Sequence, residues 1–376
     1  MNERLARVAL SRLSEPGDVR LAALVADHGA ARVYAAMREE RDVTGLFTDV
    51  AARLRGIDPE RDLTEAAAHG IRFICPGDDE WPTRLADLDR AEPVDSRGGT
   101  PLGVWARGPL RLDEVCGRAA AVVGSRSATT YGAGVAGSLA ADLAAAGVTV
   151  VSGAAFGIDQ AAHRGALAAK GPTVAVLACG VDRAYPAAHK NLLDYVADTG
   201  LVVSEVPPGC APTRLRFLSR NRVIAALAQG TVVVEAAVRS GALNTANWTA
   251  RLNRVLMGVP GPVTSAASQG VHELVRSRGA ALVTSGADVL ELLTPSGCFL
   301  VAEPRGPEQP RDRLTAREKQ VLDATPVARP ASEASIARVA GLAAPEAASL
   351  LERLATGGHV EKLDDGWRIT RVEPAG

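Results

Sequence analysis

Seven arginines (Arg214, Arg216, Arg220, Arg222, Arg239, Arg251 and Arg254) and one carboxylate, Glu235, lie between Val206 and His272. That stretch carries +6 in a chain whose formal net charge is -1. Its densest part, Arg214-Leu215-Arg216-Phe217-Leu218-Ser219-Arg220-Asn221-Arg222, falls between an apolar run ending at Val206 and a helical run from about Ser219. Several guanidinium groups along one edge neutralise successive phosphates of a polymer, and such binding weakens steeply with salt. Phe217 offers a stacking face for a base, or else belongs to the core. The competing reading pairs these arginines with acids elsewhere in the chain.

Glycine turns bracket the same region. Gly124-Ser125-Arg126-Ser127-Ala128-Thr129 joins a strand to a helix, where backbone N–H groups at the helix start face an anion. Ser125 and Ser127 add hydroxyls, and Arg126 adds a planar fork matched to phosphate. A second turn runs from Gly153 to Gly157 and a third holds Ser240, Gly241 and Thr245. An ordinary capped turn is the alternative for the first of them. The loops are not GxGxxG, and the strand before Ser152-Gly153 lacks the acid that would hold a ribose, so NAD is excluded. Asp159 and His163 share a helix face at i, i+4. They form an acid–base pair or, more simply, a cap and a satisfied hydrogen bond.

Catalytic constellations are missing from the pattern. There is no Ser/His/Asp triad, metal-spaced histidine cluster or close carboxylate pair. The four lysines, Lys170, Lys190, Lys319 and Lys362, are never followed by Ser or Thr, so no Walker A loop exists. Five scattered cysteines (Cys75, Cys116, Cys179, Cys210 and Cys298) argue against disulfides and structural zinc. Binding without catalysis, with no cofactor and no metal, is the expectation.

The elements that must position these residues follow from the hydropathy pattern. From Ala119 onward, apolar runs at 119–123, 148–151, 173–178, 201–206, 231–236 and 254–259 alternate with helical stretches such as 132–146, 158–169 and 219–229. Unbroken β-branched runs mark strands buried on both faces. Alternation with helices predicts an α/β fold: an extended, Rossmann-like, doubly wound parallel sheet. Residues 1–70 read as a small helical domain and 71–300 as the extended Rossmann-like domain. The Pro- and charge-rich segment 301–312 reads as a linker, and 313–376 as three helices and a ribbon in winged-helix order. The 376 residues are 47% hydrophobic with no apolar run near the length of a membrane span, and the start MNERLARVALSR is no secretory signal. A cytoplasmic protein without membrane contact is expected.

The segments VVGSRSATTYG, VSGAAFGIDQAAHRGAL, CGVDRAYPAAHKNLL, GLVVSEVPPG, FLSRNRVIAALA, VVVEAAVRSGALNTA and SQGVHELVRSRGA, in this order, closely resemble the DNA-processing protein A family (DprA, or Smf). The resemblance spans about residues 119–280, and the flanking parts fit the family's architecture, including an N-terminal helical domain of SAM or helix-hairpin-helix type. It implies a non-enzymatic protein that binds single-stranded DNA without sequence preference. It further implies a homodimer that loads RecA recombinase in natural transformation, or competence, and related homologous recombination.

By motif, the resemblance makes Arg126, Arg220 and Arg222 DNA-contacting residues. Beside them, Arg214, Arg216, Phe217, Asn221 and Arg239 complete the candidate DNA site. Gly124, Ser125, Ser127, Gly153, Gly157, Ser240, Gly241 and Thr245 are the candidate phosphate-loop positions. Two departures stand out: Phe156 replaces the family's usual Arg in the second turn, and FLSRNR replaces FPxRNR. Arg214 and Arg216 offer charge in place of the one lost at Phe156. A second class on the same sheet, nucleotide phosphoribohydrolases, uses a PGGxGTxxE loop. Here residues 237–245 lack its paired glycines and its Glu. A transcription regulator is the third reading, but Arg338 and Arg353 lie beside Glu333, Glu346 and Glu352, a poor charge balance for duplex binding.

Overall fold

Local signals set the N-terminal helices. Asn2 caps α1 (Glu3–Leu13), Asp18 caps α2 (Val19–His28), and Gly29, at φ +79°, breaks the chain before α3 (Ala30–Arg38). A further helix, α4 (Pro59–Ala68), starts with proline in its first turn behind the Asp58 cap. The computed structural model describes residues 1–39, 53–54, 56–295 and 309–370. The described residues fall into two compact units, Met1–Val301 and Ala302–Gly376. The N-terminal helices therefore belong to the same unit as the sheet.

Two antiparallel strands, β1 (Ile71–Ile74) and β2 (Val104–Arg107), form one edge of that sheet. A short helix, α5 (Leu112–Val115), leads into β3 (Ala119–Val123). The winding then runs α6 (Thr130–Ala145), β4 (Thr149–Ser152), α7 (Ile158–Ala168), β5 (Thr173–Val176), α8 (Lys190–Thr199) and β6 (Leu201–Ser204). It continues through α9 (Arg214–Leu227), β7 (Gly230–Val233), α10 (Ala242–Arg251), β8 (Val255–Gly258), α11 (Gln269–Ser277), β9 (Ala281–Leu282) and α12 (Gly286–Leu293).

Among the described residues nine strands form this sheet in the order β1-β2-β6-β5-β4-β3-β7-β8-β9, with β3 through β9 parallel to one another. One face packs β-branched side chains on α9, α10 and α11; the other packs on α6, α7 and α12. The fold is thus α/β, Rossmann-like and doubly wound. On the second face α6 and α7 approach so closely that a Cβ on Gly165 would lie 2.1 Å from the Gly137 carbonyl oxygen.

One element departs from expectation. The segment 214–222 is not a loop: α9 starts at Arg214, with the Thr213 hydroxyl accepting from the Arg216 N–H. Helical geometry turns successive side chains by about 100°, so its four arginines point in different directions.

The second unit holds α13 (Ala316–Ala324), α14 (Glu333–Ala340), α15 (Ala344–Thr356) and a hairpin of β10 (Val360–Leu363) and β11 (Gly366–Ile369) around Val321, Leu351 and Trp367. Several of its cations are paired: Arg353 with Glu318, Lys362 with Glu352, and Arg368 with Glu361. The expected linker at 301–312 lies outside the described residues as far as 308, as does Cys298; Pro310–Arg313 forms a 3-10 turn.

Candidate functional site

The winding direction reverses at β3. The chain steps from β3 through β4 and β5 to β6, then returns to place β7 on the other side of β3. Loops leaving β3 and β7 diverge there and open a crevice beyond the strand ends, where ligands bind in such sheets. A pocket of about 710 Å³ occupies that place. Its walls come from residues 123–127, from Ala155 and Asp159, from Tyr185, from the side of α9 that carries Phe217 and Arg220 with the loop before it, and from parts of the segment 237–245.

Arg126, Arg214 and Arg239 are all exposed at this pocket, one from each of three separate segments. None has a carboxylate partner among the described residues. The Arg126 guanidinium lies over the Phe217 ring at 4.8 Å, a cation–π contact that holds its charge at the pocket. Arg220 forms the floor, only 7% exposed, and donates from Nη1 to the carbonyls of Gly153 (2.6 Å) and Val176 (2.8 Å). Burial pushes its guanidinium down from the usual range, and the nearby Asp159 opposes that shift. Asn221 accepts from Arg220 Nε and donates to Gly241 and Asn244, tying α9 to α10.

The remaining arginines of the basic run are spent elsewhere. Arg216 pairs with Glu15 (2.8 Å), Arg251 with Glu92 (2.8 Å) and Arg254 with Asp87 (2.8 Å). Arg222 is 1% exposed and pairs with the buried Glu205 at 2.5 Å, facing a separate cavity of about 30 Å³ beside Glu15 and Gly17. Two expected DNA contacts are therefore corrected. Arg222 is sealed in the interior, and Arg216 neutralises an N-terminal carboxylate instead of replacing the charge missing at Phe156. Arg214 alone of that pair stands in the pocket.

Two glycine turns also differ from expectation, because their N–H groups serve the chain's own carboxylates. Glu235, 2% exposed, accepts from the Thr129 N–H (2.9 Å) and hydroxyl (2.5 Å) and so fills the N-terminus of α6. Asp159 accepts from the N–H groups of Gly153 (3.2 Å) and Ala155 (3.4 Å). Gly153 and Gly157 lie outside the pocket lining, and their phosphate role is replaced by packing. A Cβ on Gly153 would meet Arg220 Nη1 at 1.9 Å, and one on Gly157, at φ +76°, the Ser125 carbonyl oxygen at 2.4 Å. Gly124, Ser125, Ser127, Ser240, Gly241 and Thr245 do line the pocket.

Asp159 and His163 do not form an acid–base pair. Burial pushes the Asp159 carboxyl up, and its oxygens face backbone N–H groups. His163 Nδ1 meets the Thr173 hydroxyl at 2.8 Å, and burial lowers its pKa to about 3. Tyr185, in the loop after β5, was not singled out from the sequence. Its signal was available, since that loop leaves the same end of the sheet.

A crevice at the switch point of a doubly wound sheet, cationic on several sides and holding one inward-tied carboxylate, defines a Rossmann-like α/β protein with an anion site. A family model for DNA recombination-mediator protein A matches residues 72–294. A Mycobacterium tuberculosis protein bearing the name DNA processing protein DprA is 48% identical over 368 residues, covering 96% of this chain and 93% of its own. Escherichia coli protein Smf is 34% identical over 263 residues, 67% of this chain and 68% of its own. The X-ray structure of DNA processing protein A from Streptococcus pneumoniae superposes with a TM-score of 0.64 at 30% identity, covering 80% of this chain and 99% of that one. A Helicobacter pylori DNA processing protein A structure, described for its single-stranded DNA binding mode, gives 0.50 at 25% identity, covering 59% and 95%. The chain belongs to the DNA recombination-mediator protein A family.

Proposed function

We propose that this protein binds single-stranded DNA without sequence preference, through the switch-point pocket, and passes it to RecA recombinase. The observation that carries the DNA half is the convergence of Arg126, Arg214 and Arg239, three guanidinium groups free of carboxylates among the described residues, on one pocket. Phosphates supply the missing counter-charge. The Helicobacter pylori relative, described for its single-stranded DNA binding mode, supports the same polymer. RecA delivery, the homodimer, a role in natural transformation and the cytoplasmic location rest on the family resemblance.

The protein acts as a binder and not an enzyme. Among the described residues Asp159 is the one carboxylate lining the pocket, and its contacts are to backbone N–H groups. A phosphoribohydrolase needs a carboxylate free to meet ribose, so base release from nucleoside monophosphates is expected to be absent.

The deciding experiment is a gel shift with single- and double-stranded oligonucleotides over a salt series. Single-strand affinity is expected to fall with a log–log slope of about -2 to -3, from about 0.7 per neutralised phosphate. Absence of single-strand binding at low salt rejects the reading.

A further inference from the structure

Arg222, 1% exposed, meets Glu205 with one arm and leaves the rest of its fork unmet. Its Nη2 donates to Glu205 Oε1 at 2.5 Å. Arg222 Nε, Arg222 Nη1 and Glu205 Oε2 are sealed from solvent and have no hydrogen-bond partner among the described residues. Two donors and one acceptor of a single charged pair are thus orphaned at one place, and a polar group left so bears the full cost of its lost hydration.

The pair opens onto the cavity of about 30 Å³ between α9 and the turn that joins α1 to α2. Gly17, at φ +75°, keeps the backbone clear of Nε there, since a Cβ would stand 3.0 Å from that nitrogen. Three hydroxyls line the same cavity, and each has already donated its hydrogen: Ser11 to Val8, Ser14 to Leu10 and Thr100 to Leu85. Their oxygens can only accept.

Charge decides what such a cavity takes. An anion would meet Arg222, but also the carboxylates of Glu205, Glu15 and Asp18. A cation would meet the buried guanidinium. Two N–H donors, one carboxylate oxygen and the hydroxyl lone pairs call for a small neutral group that both donates and accepts. The volume admits one water, or two, because about 10–15 Å³ suffices for one.

We propose that this cavity is a buried hydration site, where water accepts from Arg222 Nε or Nη1 and donates to Glu205 Oε2 and to a hydroxyl oxygen. A water so placed makes about three hydrogen bonds and is as much a part of the fold as a side chain. It joins the turn between the N-terminal helices to α9, the helix that carries Arg220 at the floor of the switch-point pocket, while lying outside that pocket. Its occupancy is independent of nucleic acid.

The test uses the full chain without DNA. Oxygen-17 magnetic relaxation dispersion counts waters held for longer than the protein takes to tumble. The E205L/R222M double variant replaces the pair by apolar side chains, an exchange that buried ion pairs often tolerate. It is expected to hold about one or two fewer such waters than the wild type. A crystal structure of the wild type that shows ordered solvent is expected to place water within hydrogen-bond distance of Arg222 and of Glu205 Oε2, and a bromide soak is expected to give no anomalous signal there. Should the double variant fail to fold, the wild-type crystal decides alone. Equal water counts, a dry cavity or bromide in the cavity each overturn the proposal.

Discussion

The Glu235 carboxylate bridges the backbone N–H and the hydroxyl of Thr129, at 2.9 Å and 2.5 Å, and so closes the α6 N-terminus from inside. Gly132 makes room for it, since a Cβ there would lie 2.3 Å from Glu235 Cδ. E235A removes two hydrogen bonds to a charged acceptor, a loss of about 1.5–3 kcal/mol. Urea unfolding measures it. Millimolar sulfate is expected to restore part of the loss, because a vacated helix N-terminus binds anions. A variant as stable as wild type and indifferent to sulfate contradicts this account.

Arg126 and Arg214 carry free charge, so each is expected to contribute to the salt dependence of DNA binding. R126A and R214A should each flatten the log–log slope by about 0.7. R126K should keep the slope but lose affinity, because a point charge replaces a planar fork. Anisotropy titrations at four salt concentrations distinguish these outcomes.

Arg222 should behave in the opposite way. Removing it strands Glu205 in the interior, with an expected destabilisation of about 3–5 kcal/mol. Variants still folded at low temperature should retain the wild-type salt slope. A flattened slope in folded R222A would return this residue to the DNA site.

His163 gives the fold a pH dependence. Its folded pKa of about 3 lies below the ordinary histidine value of 6.5, mainly through burial. The unfolded chain therefore binds the proton first as pH falls. The contribution to stability is complete above about pH 6.5 and is lost progressively toward pH 3, at about 1.4 kcal/mol per pH unit within that window. Denaturation curves for wild type and H163Q between pH 7 and 5 should converge as pH drops. Parallel curves would count against it.

The sheet was legible because its strands are short, apolar and buried on both faces. The runs at 119–123 and 201–206 became Ala119–Val123 and Leu201–Ser204. The start of α9 was not legible. From Ser219 to Leu227 every residue of that helix is buried, so no amphipathic stripe marks its axis, and its first turn is two arginines and Phe217 behind prolines. The fates of the arginines were hidden for a different reason. Glu15, Asp87 and Glu92 lie 201, 167 and 159 residues from their partners, separations at which no local pattern reports a contact. Arg126 could be chosen from its turn alone, whereas Arg216 and Arg222 required the tertiary structure.

The pairing of Glu15 with Arg216 also sets a clock on biosynthesis. With 201 residues between them and elongation at about 5–20 residues per second, roughly 10–40 s separate the appearance of the acid from that of its partner. During that interval Glu15 has been made while the helix that carries its partner does not exist. A nascent chain ending before Arg216 holds Glu15, Asp87 and Glu92 without Arg216, Arg254 and Arg251 to receive them. The Glu15–Arg216 pair therefore forms late in synthesis, after α1 can already meet Phe73, Asp78 and Leu102, and pairing at such separation belongs to slow-folding topologies.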